Sequence, residues 1–293
     1  MHYWTGAEGV RIAGDAWGDL DAPLVLLLHG GGQTRHAWRG TGDLLGAAGY
    51  RAVALDARGH GDSGWSPNAD YSQDAMLRDV DCVLAALGNK RPALVGASLG
   101  GATSLVAVGE GRVDATALIL VDIVPSTEPA GVDRIQSFMR AKTMEGFATL
   151  DEVSQAIAAY RGLAAPAKER VGLAKNVRLG KDGRYYWHYD PKYATSLRDS
   201  GVRRARLTAA ARNLKLPTLL VRGGASDVVS EAGAREFLEM VPQAQYVNVA
   251  EAGHMVAGDR NDAFGRAATG FLARTVPSKS PHGIQPTPPY PAG

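Results

Sequence analysis

The chain has 293 residues, 45% hydrophobic and 21% charged, a balance that fits an ordinary globular protein with one large core and excludes disorder throughout. Lysine and arginine number 32 against 30 aspartate and glutamate, and no basic run exceeds two residues, so the charge points to neither a nucleic-acid footprint nor an anionic-membrane patch. The single Cys82 excludes an internal disulfide and any metal site built from several cysteines.

The opening stretch, MHYWTGAEGV, lacks a charged segment followed by an apolar core, and the apolar run LVLLL at 24–28 is far too short to cross a bilayer. The expectation is a cytoplasmic protein without a membrane partner. Short Val- and Leu-rich runs recur at 24–29, 51–56, 92–96, 116–122, 217–222 and 245–249, with helix-like segments between most of them. This alternation predicts a mostly parallel sheet with helices on both faces. One such helix holds Met76, Val80, Val83, Leu84 and Leu87 at helical spacing and carries Cys82, which is expected to be buried.

Between 127 and 212 the alternation stops. That span offers a helical pattern around RIQSFM and a second helix opening on Thr149 and Glu152, a capping-box spacing, with Val153, Ile157 and Tyr160 on one face. Further on, LGKDGRYYWHYDP combines an Asp-Gly turn signal with dense aromatics and reads as a short hairpin. We read 127–212 as a mainly helical cap inserted into a core formed by 1–126 and 213–276. The last 17 residues, 277–293, hold six prolines and no apolar period, so they read as an extended tail.

Chemistry concentrates at the junctions. In GASLG, residues 96–100, Ser98 stands between two glycines where an apolar strand gives way to a helix. A turn that tight needs glycine on either side, lifts the serine hydroxyl above the carboxyl edge of the sheet, and aims the Leu99 amide at the same spot. A serine hydroxyl needs a base, and the base needs an orienting group. Asp227 follows one late apolar strand, in RGGASDVV, and His254 follows the next, giving the chain order Ser, Asp, His. Asp122, in LILVDIVPS, also follows a strand and is the alternative acid. Asp227 is preferred because two glycines and a turn put it on a loop beside that of His254. GHGDSG at 59–64 matches a dinucleotide-binding glycine pattern, but WSPNADYS follows where a phosphate-binding helix should begin, so no nicotinamide or flavin is expected.

The elbow GASLG, Asp227, His254, HGGG at 29–32 and LDARGHGDSG at 55–64 together resemble the α/β-hydrolase fold superfamily. The resemblance covers about 10–126 and 213–275. It implies a serine hydrolase with Ser98 as nucleophile, His254 as base and Asp227 as acid, with no cofactor and no metal. It also implies that Gly31, rather than Gly32 or Gln33, joins Leu99 in an oxyanion hole, and that His29, His36 and His60 hold loops. A carboxylic ester with an apolar or aromatic part is the expected small-molecule substrate, in a pocket with Trp38, Phe138, Met139, Trp187 and Tyr189. A perhydrolase of the cofactor-free haloperoxidase type, a carbon–carbon bond hydrolase and a slow or inactive ligand receptor remain open on the same residues. Serine rather than aspartate at the elbow argues against epoxide hydrolases and haloalkane dehalogenases. Oligomeric state leaves no signal in the sequence.

Overall fold

The computed structural model describes residues 1–88, 90–162, 175–196, 199–254, 256 and 261–278. Six apolar runs become the parallel strands β3 (Leu24–Leu28), β4 (Arg51–Leu55), β5 (Ala93–Ala97), β6 (Ala117–Val121), β9 (Thr218–Gly223) and β10 (Ala244–Val249). With the N-terminal strands β1 (His2–Thr5) and β2 (Arg11–Trp17) they form one eight-stranded sheet in the order β1-β2-β4-β3-β5-β6-β9-β10. Only β1 and β2 run antiparallel to their neighbours. The sequence reading found no strand before residue 24, because β1 is mostly exposed and β2 is interrupted by Gly14 and Asp15.

Each central strand is apolar on both faces because helices cover both. Leu26, Leu94, Leu118 and Leu220 join one core with residues of α2 (Gln73–Ala86), α3 (Leu99–Gly109), α7 (Ser200–Arg212) and α8 (Glu231–Met240). Their neighbours Leu27, Val95, Ile119 and Val221 join the other, with residues of α1 (Arg39–Ala47) and α9 (Asn261–Thr275). Cys82, expected to be buried, is half-buried on α2.

A third apolar cluster joins Tyr71 and Met76 to the insertion, which holds α4 (Pro129–Arg140), α5 (Leu150–Tyr160), the hairpin β7 (Val177–Leu179) and β8 (Tyr185–Trp187), and α6 (Pro191–Thr195). The Thr149 hydroxyl caps α5 by accepting from the Glu152 amide at 3.2 Å, and Gly183 turns the hairpin at φ 78°. Helix α7, within the 127–212 span, packs Leu207, Ala210 and Ala211 into the first of these cores. Residues 279–293 of the proline-rich tail lie outside the described residues.

The LDARGHGDSG stretch joins insertion to core. Gly61 donates to the His188 carbonyl at 2.7 Å and Asp190 to that of Gly59 at 2.8 Å, while His60 bridges Tyr189 in antiparallel fashion. The buried Tyr71 hydroxyl donates to Asp190, whose carboxylate also caps α6 at the Lys192 amide (2.9 Å). The glycine pattern at 59–64 thus bonds to residues 188–190, and no helix starts there.

Candidate active site

Ser98 sits at φ 45°, ψ −104° between β5 and α3. A methyl carbon added at Gly96 would lie 2.4 Å from the Gly100 carbonyl oxygen, and one at Gly100 would lie 2.2 Å from that of Leu28. These contacts leave room only for glycine on either side of the serine. The strained backbone costs about 1–3 kcal/mol, and it is held in part by a bond from the Ser98 amide to the Val121 carbonyl on the neighbouring strand (3.1 Å).

His254, on the loop after β10, is 10% exposed, and its Nδ1 donates to Asp122 Oδ2 at 2.7 Å. The proton on Nδ1 leaves the Nε2 lone pair of the neutral ring available. Asp122 is wholly buried at the end of β6 and also takes a left-handed backbone, φ 49°. Two further donors hold its carboxylate: the Gly223 amide at Oδ1 (2.9 Å) and the Ser226 hydroxyl at Oδ2 (2.5 Å). The three donors take the place of the water that this carboxylate loses on burial.

The preference for Asp227 as the partner of His254 is therefore corrected. Asp227 instead pairs with Arg134 of α4 at 2.8 Å, with both side chains substantially exposed. The loop placement itself was sound: Gly224 donates to the Val249 carbonyl (2.8 Å) and Ala225 to that of Ala252 (2.9 Å), so the loop after β9 lies against that of His254. A methyl carbon at Gly223 would fall 2.2 Å from the Gly253 carbonyl oxygen. Within this turn Ser226 points inward and Asp227 points toward the cap, where Gly131 of α4 packs on the Asp227 backbone.

The HGGG loop completes the site. The Gly30 amide donates to Gln33 Oε1 (2.9 Å), the Gly32 amide to His60 Nε2 (3.1 Å) and the Gly100 amide to the His29 carbonyl (3.1 Å). Among the described residues, the amides of Gly31 and Leu99 have no protein acceptor, and Leu99 opens α3, whose N-terminal end favours negative charge. His29 and His60 act through neutral rings: Nδ1 of each donates to a carbonyl, Gly30 and Arg58, while Nε2 accepts from an amide, Ala57 and Gly32. Burial holds the His29 imidazole below its ordinary value. Arg35 ties the far end of the loop down through Asp56, Asp15 and Asp62.

The five expected pocket residues divide. Met139 and Tyr189 reach the glycine loop, with Met139 Cε 3.2 Å and Tyr189 Cε1 3.5 Å from where a methyl carbon on Gly32 would sit. Trp38 is completely buried against Phe264 in the core shared with α1 and α9, so it lines no pocket. Trp187 is buried in the third apolar cluster, its indole donating to the Ala141 carbonyl (2.9 Å), while half-buried Phe138 packs on its edge and stacks on Tyr160. Sequence reasoning missed Tyr193, whose hydroxyl lies 2.6 Å from the methyl position of Gly31, although Asp190-Pro191 was a readable helix start.

The sheet edge thus carries a serine on a strained elbow, a histidine bonded to a buried carboxylate, and two amides without a protein acceptor among the described residues. The model of the alpha/beta hydrolase fold family matches residues 23–260, and the chain belongs to that family. It is 29% identical over 266 residues to Esterase Rv0045c of Mycobacterium tuberculosis, covering 87% of this chain and 84% of that protein. It is 31% identical to the sn-1-specific diacylglycerol lipase ABHD11 of Mus musculus, covering 87% and 83%. A crystal structure of an alpha/beta hydrolase from Novosphingobium aromaticivorans superposes with a TM-score of 0.79 at 25% identity, covering 93% of this chain and 97% of that one. No described helix is long and apolar enough to cross a membrane.

Proposed function

We propose that the protein is a serine hydrolase that cleaves carboxylic esters through an acyl-enzyme, with Ser98, His254 and Asp122 as its triad. The observation that carries this reading is the 2.7 Å bond from His254 Nδ1 to the buried Asp122, beside the elbow that presents Ser98. Ser98 Oγ attacks the ester carbonyl as His254 Nε2 takes its proton. Asp122 keeps the ring in the Nδ1–H tautomer and stabilises the imidazolium. The amides of Leu99 and Gly31 receive the developing oxyanion, a contribution of about 2.7–4 kcal/mol per donor in comparable sites. His254 then protonates the departing alkoxide, and water repeats the sequence to release the acid.

The esterase and lipase relatives support ester chemistry. Met139 and Tyr189 beside the glycine loop support an ester with an apolar acyl or alcohol part. A panel of p-nitrophenyl and aryl esters of graded chain length, run beside a peroxide-dependent halogenation assay, tests the reading. Ester turnover should dominate, Ser98→Ala should lose it by about 10⁴- to 10⁶-fold, and an organophosphonate should add one covalent mass to the parent and none to the variant. Labelling that persists in Ser98→Ala would overturn the assignment.

A further inference from the structure

Ser226 belongs to no part of the triad, yet its hydroxyl meets the same carboxylate oxygen as His254. Ser226 Oγ accepts from the amides of Val228 (3.1 Å) and Val229 (3.2 Å), and it lies 2.5 Å from Asp122 Oδ2. A hydroxyl has two lone pairs and one proton. With both lone pairs engaged by backbone amides, the proton is directed at Asp122. The carboxylate is therefore clamped in its plane, with the Gly223 amide on Oδ1 and the Ser226 hydroxyl on Oδ2 next to the imidazole.

We infer that Ser226 is a positioning residue for the reaction, one that fixes the rotation of Asp122 and so the aim of His254; this rests on the triad proposed above. The acid stands at the end of β6, and the last residue of β9 and the loop after it supply two of its three donors. Without the hydroxyl, Oδ2 keeps only the imidazole and Oδ1 only the Gly223 amide, so the carboxylate is held less tightly against rotation about its Cβ–Cγ bond. Hydrogen bonds to a charged group contribute about 1.5–3 kcal/mol. A comparable loss in the transition state is about 10- to 100-fold in kcat, with KM nearly unchanged because Ser226 touches the acid and not the ester.

The test compares Ser226→Ala with Ser226→Thr, which keeps the hydroxyl. Ser226→Ala should lose that factor in kcat, and Ser226→Thr should recover most of it. The low-field proton resonance of His254 Nδ1–H, recorded on the resting protein, should move in Ser226→Ala and return in Ser226→Thr. If Ser226→Ala does not fold, Ser226→Cys, whose thiol is a weak donor, carries the same measurements. A Ser226→Ala protein that folds, keeps kcat within twofold and leaves the resonance in place would overturn the inference. The resonance needs no turnover, so a parent protein inactive on every ester would defeat the functional reading while this comparison still stood or fell by itself.

Discussion

Two aspartates stand just past parallel strands at the carboxyl edge of the same sheet, and the fold uses them in opposite ways. Asp122 after β6 is fully buried, strained at φ 49° and held by an amide, a hydroxyl and an imidazole. Asp227 after β9 is about a third exposed and bonded to one arginine of the cap. The difference arises from one residue of register in the turn: Ser226 takes the inward position, and Asp227 is left facing α4. A carboxylate can orient a catalytic base from either strand, provided the neighbouring loop brings donors to it.

The largest expected effect breaks this comparison directly. Asp122→Asn should lower kcat by about 10⁴-fold, because an amide favours the wrong imidazole tautomer, while Asp227→Asn stays within about threefold of the parent. Both are measured on one ester, with folding checked by circular dichroism. Collapse in Asp227→Asn with Asp122→Asn active would reverse the assignment.

The same contrast between inward and structural positions extends to the cap. Trp187→Ala should cost about 3–5 kcal/mol of stability, seen in urea unfolding, with all esters affected alike, because the indole fills the interior of the cap. Met139→Leu should instead keep stability within about 1.5 kcal/mol and change the ratio of long- to short-chain ester rates by about tenfold. An unchanged ratio would remove Met139 from the pocket.

Gly223→Ala sharpens the link between the two acid loops. The new methyl would press on the Gly253 carbonyl and displace the amide that holds Asp122 Oδ1. It should destabilise by about 1–3 kcal/mol and lower kcat more than a matched loss of stability elsewhere, as read by urea unfolding beside single-ester kinetics.

The smallest effect concerns the ion pair of Asp227 with Arg134, whose side chains are 36% and 53% exposed. Asp227→Ala should cost less than about 1 kcal/mol, and the difference should shrink toward zero near 1 M salt. A cost that survives high salt would mean that Asp227 bears on the cap through more than charge.

The sequence by itself determined the scaffold and the glycine-flanked turn that carries Ser98. Runs of four to six apolar residues can be buried on both faces only inside a helix-covered parallel sheet, and a serine flanked by glycines between strand and helix has one compact conformation. Both are local or periodic constraints, so they survive reading along the chain. Which aspartate meets His254 is not such a constraint: positions 122 and 254 are brought together by the adjacency of β6, β9 and β10, and the direction of each side chain follows from the turn at 223–226. The same holds for Trp38, an aromatic near the glycine loop in sequence that the fold turns into the core beneath α9, and for Tyr193, distant in sequence yet set against Gly31 by the anchored cap. Tertiary structure decided these because burial, and the donors available to a carboxylate, depend on what neighbouring strands and loops place around it.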